Sequence, residues 1–147
     1  MAIIDKSMLI GYSSRQMFDL VEDVEHYPEF LPWCEKTLVE HRDEQKTVAT
    51  LYISYRGVKA NFTTENEKEA PHLMRLKLRD GPMRRLEGVW QFKPLSETAC
   101  KIIFQLHYEF PSKLIDSMIS PVFAHIDNSM ADAFVKRAEE IYGRTDV

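Results

Sequence analysis

The sequence has few of the features that mark secreted, membrane or metal-binding proteins. Its 147 residues include only two cysteines, Cys34 and Cys100, with no CxxC spacing. Free thiols in a reducing cytoplasm are therefore expected rather than a disulfide. No apolar run approaches the roughly 20 residues that span a bilayer, and the N-terminus lacks the basic region and cleavage site of a signal peptide. We expect a cytoplasmic protein, with peripheral contact at the inner membrane as the alternative.

The chain also lacks an excess of positive charge and any recognisable catalytic motif. Its 19 basic and 23 acidic residues give a net charge of −4, whereas general nucleic-acid binders are usually basic. No two of its five histidines lie three or four residues apart, so the spacing of a metal site is missing. There is no G-x-S-x-G elbow. We predict no catalytic residue, no metal, no required cofactor and no sequence-specific nucleic-acid binding.

The clearest positive signal is helical and lies in residues 111–143. Apolar residues recur there every three or four positions, which predicts one amphipathic helix with a continuous apolar stripe. Ser112 is placed to cap its start and Gly143 to end it. Because proline disfavours helical geometry at the residue before it, we predict a kink at Ser120–Pro121, with a short helix before it and a main helix to about Tyr142.

The first third of the chain predicts one strand and two helical pieces. Residues 2–10 are aliphatic enough for a strand. Ser13 and Gln16 form a capping-box pattern that opens a short helix. An unusually aromatic loop follows at residues 25–34, and its two prolines favour a tight, partly helical turn that packs its aromatic side chains inward.

The middle of the chain alternates apolar and polar residues with a period of two, which predicts an antiparallel sheet with one dry face. The predicted strands cover residues 35–42, 47–55, 58–65, 72–80, 84–92 and 100–108. The predicted turns are Arg56-Gly57, Asn66–Pro71, Asp80–Pro82 and Pro94–Thr98. Together the elements predict an α+β helix-grip fold: a curved sheet of about seven strands around the C-terminal helix, in a single domain of residues 1–147.

Three segments carry a family resemblance: EDVEHYPEFLPWC (22–34), GPMRRLEGVWQFKPL (81–95) and MADAFVKRAEEIYG (130–143). They resemble the START-like (Bet v 1-like) coenzyme Q-binding and RatA-type family, whose members are also labelled oligoketide cyclase or lipid-transport proteins. The resemblance implies a hydrophobic cavity between sheet and helix. Eukaryotic members bind ubiquinone and support respiration, and bacterial members include a ribosome-association toxin that blocks the joining of the ribosomal subunits. Met83 departs from the family, in which phenylalanine is expected.

The aromatic loop, the inward strand faces and the helix stripe supply candidates for the lining of such a cavity, although each could equally be ordinary core. These candidates are Tyr27, Phe30, Leu31, Trp33, Ile53, Tyr55, Phe62, Leu76, Leu78, Leu86, Trp90, Phe104, Tyr108, Val122, Phe123, Ile126, Met130 and Phe134. Small residues such as Gly88 and Ala60 would enlarge the space, and Tyr55, Tyr108 or Arg84 would supply polar contacts. The leading hypothesis is non-enzymatic binding of a polyprenyl quinone such as ubiquinone, or of a related lipid.

A second hypothesis concerns the wet face of the sheet. Arg75, Lys77 and Arg79 alternate along one strand, and Arg84 and Arg85 follow the next turn. Such a patch would suit the phosphates of ribosomal RNA on the large subunit and would position the protein rather than read a sequence. The alternative is a solvated face that keeps the sheet from associating. A cyclase activity is the least favoured alternative, because the family label transfers the fold and not the chemistry.

Overall fold

The computed structural model describes residues 2–143 and has the predicted α+β helix-grip fold. Seven antiparallel strands form one curved sheet in the order β1-β7-β6-β5-β4-β3-β2, and one long helix lies against its inner face. Met1 and residues 144–147, which the predicted domain includes, lie outside the described residues.

The elements follow one another in the predicted order. They are β1 (Ala2–Ile10), α1 (Ser14–Glu22), a 3₁₀ helix (Val24–Glu29), β2 (Cys34–Arg42), β3 (Lys46–Tyr55), β4 (Val58–Glu69), β5 (Leu73–Asp80), β6 (Arg85–Ser96), β7 (Ala99–Glu109) and α2 (Lys113–Tyr142).

The capping box at the start of α1 is confirmed. The Ser13 hydroxyl accepts from the Gln16 amide at 3.1 Å, and the Gln16 side chain accepts from the Ser13 amide at 2.8 Å. These two bonds satisfy amides that have no partner within the helix. The helix then buries Met17 and Val21 toward the sheet, and the chain passes into the 3₁₀ helix of the aromatic loop.

The hairpin between β3 and β4 turns through two residues, as predicted. Arg56 and Gly57 both have positive φ, at 49° and 81°, and Tyr55 pairs with Val58 across the turn. This is the turn geometry that matches the right-handed twist of the flanking strands.

Two strands are longer than the alternation of apolar residues predicted. β4 continues to Glu69. The extension was not predicted, because the inward positions after Thr64 are the polar residues Asn66 and Lys68, which a hydrophobic pattern cannot reveal. β6 continues to Ser96 past Pro94, where the pairing with β7 becomes irregular and tolerates the missing amide.

The predicted division of the C-terminal helix is wrong, because α2 runs unbroken through Pro121. Its ends are as expected: Ser112 accepts from the Ile115 amide at 3.2 Å, and Gly143 ends the helix at φ 82°. Pro121 is exposed, while its neighbour Phe123 is buried and stacks on Tyr108 at 4.7 Å. Packing against the sheet thus holds the segment helical despite one missing hydrogen bond.

Candidate ligand cavity

A cavity of about 90 Å³ lies between α2 and the inner face of the sheet. Its wall is almost wholly apolar and includes most of the residues predicted from the sequence. The predicted residues that line it are Tyr27, Leu31, Trp33, Phe62, Leu76, Leu86, Trp90, Phe104, Phe123, Ile126, Met130 and Phe134. They come from the aromatic loop, strands β4 to β7 and the middle of α2, so the three segments meet at one site.

The other predicted cavity residues lie elsewhere in the core or at its rim: Phe30, Ile53, Tyr55, Leu78, Tyr108 and Val122. Three of them pack on other rings instead. Tyr55 stacks on His125 with ring centroids 4.3 Å apart, Tyr108 stacks on Phe123, and Phe30 meets Phe134 edge-on at 5.1 Å. In this structure these three side chains pack on other rings and do not line the cavity.

The wall also contains residues that were not predicted from the sequence: Val21, Val24, Ala49, Leu51, Thr64, Asn66, Met74 and Leu106. Ala49, Leu51, Met74 and Leu106 lie on strand faces whose inward direction the alternation had already predicted. Val21 belongs to the apolar face of α1. Asn66 is polar, and only its parity with Phe62 and Thr64 along β4 could have placed it inside.

Two buried polar atoms in this wall lack a hydrogen-bond partner among residues 2–143. They are the indole Nε1 of Trp33 and Oδ1 of Asn66, whose residues are 5% and 6% exposed. Leaving such a group unpaired costs about 1–3 kcal/mol. Tyr55, Tyr108 and Arg84, which were expected to supply polar contacts, do not line the cavity. The polar groups of the wall therefore differ from the predicted ones.

Gly88 does not enlarge the cavity, contrary to the expectation, and neither does Ala60. A Cβ on Gly88 would lie 2.7 Å from the carbonyl oxygen of Gln105 and 2.9 Å from Leu106 Cδ1. Glycine at this position therefore serves the close approach of β6 to β7 rather than an open space.

An ion cluster borders the cavity where α1 meets β3 and β4. The Glu22 carboxylate accepts from the Thr47 hydroxyl at 2.6 Å, from Lys68 Nζ at 2.8 Å and from Arg42 Nε at 3.0 Å. Thr47 lies opposite Asn66 in the strand register. The apolar cavity therefore ends, on this side, at a polar boundary.

Arg42 also binds a second carboxylate of the 3₁₀ helix. Its Nη2 donates to Glu25 Oε1 at 2.8 Å, and the hydrogen bond from Arg42 lowers the pKa of Glu25. The same bond raises the pKa of Arg42. Through Glu22 and Glu25, this one guanidinium ties β2 to both helical segments of the aromatic region.

Tyr27 and Cys34 are held neutral beside the cavity. Burial raises the pKa of the Tyr27 phenol, whose hydroxyl donates to the Val21 carbonyl. Burial also raises the pKa of Cys34 to about 12, and that of Cys100 to about 11. Both thiols are free and buried, as expected. A thiol held protonated in this way is a poor nucleophile.

The basic residues predicted as a ribosome contact lie among carboxylates. Arg75, Arg79 and Arg85 pair with Glu69, Glu65 and Glu87 at 3.1, 3.2 and 2.5 Å. Lys77 lies in register between Glu65 and Glu87. Of the five predicted cations, only Arg84 has neither an ion pair nor a cross-strand carboxylate in the described part of the chain. The five cations therefore do not form a continuous positive surface.

The described residues form neither a metal-binding cluster nor a membrane-spanning helix. From residue 2 to residue 143, no three His, Cys, Asp or Glu side chains converge in a way that could hold a metal ion. Within the same range, neither helix combines the length and hydropathy that crossing a bilayer requires.

Known proteins are similar to this chain in sequence and in fold. Residues 10–135 match the family model described as polyketide cyclase/dehydrase and lipid transport. The ribosome association toxin RatA of Pseudomonas aeruginosa is 40% identical over 140 residues, which cover 95% of this chain and 97% of that protein. The coenzyme Q-binding protein COQ10 homolog B of Xenopus laevis is 34% identical over 146 residues, 97% of this chain and 60% of that protein.

Solved structures of low sequence identity share the fold. The Zhui aromatase/cyclase from Streptomyces sp. R1128 superposes with a TM-score of 0.82 at 12% identity, covering 94% of this chain and 93% of that chain. A START superfamily protein from Mycobacterium smegmatis gives a TM-score of 0.74 at 18% identity, and the match covers 95% of this chain and 98% of that chain. The chain therefore belongs to the polyketide cyclase/dehydrase and lipid transport family, and RatA and the COQ10 homologue are among its relatives.

Proposed function

We propose that this protein binds a polyprenyl quinone such as ubiquinone, or a related lipid, in the cavity between α2 and the sheet, and that it supports respiration by doing so. The observation that carries the proposal is the aromatic, almost wholly apolar wall around a space of about 90 Å³. The name of the Xenopus relative, which is a coenzyme Q-binding protein, supports this choice of ligand. Apolar ligand surface buried there would contribute roughly 25 cal/mol per Å².

The cavity volume limits how much of such a ligand can be enclosed. The cavity suits a single ring or a short length of chain, and a long isoprenoid tail needs more room. A second space of about 30 Å³ lies between β1 and α2, next to Lys6 and Met8. The two spaces share the side chains of Trp90, Phe104, Met130 and Phe134 as walls. Rotation of Met130, which is unbranched and flexible, would join them and lead a tail toward the edge strand β1.

The chemistry of the wall favours binding over catalysis. The lining residues that the structure describes include no carboxylate, imidazole or thiol that could act as a general acid or base. Their polar groups are the Tyr27 phenol, the Trp33 indole, the Thr64 hydroxyl and the Asn66 amide. The Trp33 indole and the Asn66 amide each have a buried atom without a partner and could orient a ligand by hydrogen bonding, which is what a carrier needs.

The proposal is tested by extracting the purified protein with organic solvent and identifying the released lipids by mass spectrometry. Titration with decylubiquinone supplies a second measurement, because both tryptophans, Trp33 and Trp90, line the cavity and their fluorescence would be quenched by a bound quinone. A co-purified quinone and saturable quenching are expected. Failure to recover any lipid, together with no saturable quenching, would rule the proposal out.

A second candidate function is association with the large ribosomal subunit, so that joining with the small subunit is blocked. The observation in its favour is the 40% identity to RatA over nearly the full length of both chains. The ion pairs of the basic strand make Arg84, rather than Arg75, the better candidate contact, since an unpaired cation is free to bind phosphate.

Sucrose-gradient profiles of ribosomes with and without added protein test this second function. Wild type is expected to reduce the joined-ribosome peak, and Arg84→Glu with Lys77→Glu to reduce it less. Lys93→Glu, an exposed charge reversal on β6, is the matched control and should act like wild type. An unchanged profile with wild type would reject ribosome association, and an equal effect of all variants would reject this surface as the contact.

A further inference from the structure

We propose that Asn66 binds the polar end of the ligand, and that the cavity selects amphiphiles whose buried polar group carries a hydrogen-bond donor, such as a phenol or hydroquinone. This inference rests on the proposed function, because it assigns a polar subsite within the same cavity. It follows from the position of Asn66 in the cavity wall, from the unpaired oxygen of its side chain and from the aromatic side chains of the same wall.

Asn66 is placed at the cavity wall by the parity of β4. Phe62, Thr64 and Asn66 are two residues apart and therefore point to the same face of the strand, and all three line the cavity. The wall changes along this strand from an aromatic ring to a hydroxyl and then to an amide. Lys68, the next residue of the same parity, is bound to Glu22 at the boundary. The inner face of β4 thus runs from apolar to polar over four residues.

The Asn66 side chain is buried and incompletely bonded. The residue is 6% exposed, and its Oδ1 has no hydrogen-bond partner among the described residues. Two polar side chains at the boundary are bonded elsewhere, because the Thr47 hydroxyl and Lys68 both donate to Glu22. A buried amide oxygen with nothing donating to it destabilises the folded protein. Such a position is readily explained if a ligand supplies the missing donor.

Oδ1 is an acceptor, so its complement is a ligand O–H or N–H group. A phenol or hydroquinone carries one, while its ring and tail suit the aromatic wall formed by Phe62, Trp90 and Phe104. An amphiphile would therefore bind with its polar end at β4 and its tail among the side chains of α2. A hydrocarbon of the same shape would leave Asn66 unpaired and would bind less tightly.

A matched ligand pair tests the assignment. Para-nonylphenol and nonylbenzene share ring and tail and differ in one hydroxyl group, and their affinities are measured by displacement of decylubiquinone. Wild type should prefer the phenol by about tenfold, the usual net value of one hydrogen bond. Asn66→Leu, which keeps the volume, should remove that preference and raise the melting temperature, since the buried unpaired oxygen is gone. Asn61→Leu, on the exposed face of β4, should retain the preference.

The possible outcomes separate this subsite from the proposed function. If decylubiquinone itself does not bind wild type, the proposed function fails and the subsite with it. If decylubiquinone binds but neither probe displaces it, the subsite alone is overturned. If both bind wild type equally well, the cavity is used but the subsite is overturned, and a water molecule suffices to satisfy Asn66. A retained preference in Asn66→Leu also overturns it. Should Asn66→Leu fail to fold, Asn66→Ala serves instead, with the same expected loss of preference.

Discussion

Lys68 Nζ lies 2.8 Å from Glu22 Oε1, and the two side chains are only 7% and 16% exposed. The pair joins the end of β4 to the end of α1, where the polar boundary of the cavity begins. The Thr47 hydroxyl and Arg42 also donate to the same carboxylate oxygen. Removal of either partner from an ion pair buried to this extent is costly, because the other charge is then left buried and unpaired.

Removal of Glu22 is therefore expected to be strongly destabilising. Glu22→Ala leaves Lys68 and Arg42 without their shared acceptor and should lower the free energy of unfolding by about 3 kcal/mol, measured by urea denaturation. Asp19→Ala is the control, because Asp19 and its partner Arg15 are 53% and 57% exposed. That change should cost less than about 1 kcal/mol. Equal losses in the two variants would contradict a structural role for the buried pair.

Substitution of Gly88 is expected to disturb the pairing of β6 with β7. The new methyl group of Gly88→Ala would stand 2.7 Å from the Gln105 carbonyl oxygen, and relief requires a backbone shift that costs about 1–3 kcal/mol. Gly57→Ala provides a comparison, since it meets no atom within 4 Å but sits at φ 81°. That variant should lose only about 1 kcal/mol of unfolding free energy. A neutral Gly88→Ala would show that the strands separate easily.

Filling the cavity should weaken ligand binding with little loss of stability. Ala49 is buried in the wall, and Ala49→Leu would extend a side chain into the open space. Decylubiquinone affinity is expected to fall about tenfold, or 1.4 kcal/mol, as measured by quenching of tryptophan fluorescence. Ala60→Leu adds the same atoms on β4 outside the cavity wall and should bind normally. If both variants lost affinity equally, the quinone would bind elsewhere.

Asp43 should contribute to stability in a pH-dependent way. A hydrogen bond from His41 and two backbone amides, of Lys46 and Gln45, lower the pKa of Asp43 from 3.8 to about 2. Because the folded-state pKa is the lower one, the contribution is fully present above about pH 4 and is lost as the pH falls toward 2. Carboxyl NMR titration measures the pKa directly. Asp43→Asn should flatten the stability profile across that acidic range, and an unchanged profile would contradict the assignment.

The two thiols should be inert in the folded protein. With pKa values of about 12 for Cys34 and about 11 for Cys100, raised by burial, almost no thiolate exists at mildly alkaline pH. A disulfide reagent such as Ellman's is expected to react slowly with native protein and rapidly with both cysteines in urea. Fast labelling of the native protein would show that the aromatic loop beside Cys34 opens.

Much of the fold could be predicted from local pattern. The capping box at Ser13, the two-residue turn at Arg56-Gly57 and the alternation of β5 and β7 each reflect chemistry that acts within a few residues. The break at Pro121 was predicted wrongly for the same reason. Local propensity disfavours helix there, but the burial of Phe123 and its neighbours against the sheet outweighs one lost hydrogen bond.

The cavity was predictable in outline and not in detail. Alternation identified the inward faces, so Phe62, Trp90 and Phe104 were placed at the wall. It could not distinguish lining from solid core, and Tyr55 and Tyr108 instead stack on rings of α2. Asn66 was missed because a polar residue inside a sheet breaks the hydrophobic pattern used to find the inside.

The amino-acid sequence by itself determined the order of the elements, the helix caps, the tight hairpin and the inward face of most strands, because each depends on neighbours along the chain. Tertiary structure alone decided which side chains border open space, that Arg75 and Arg79 of β5 pair with glutamates of β4, and that Asn66 keeps a buried oxygen free. Those properties depend on the curvature of the sheet and on the residues it brings together from distant positions.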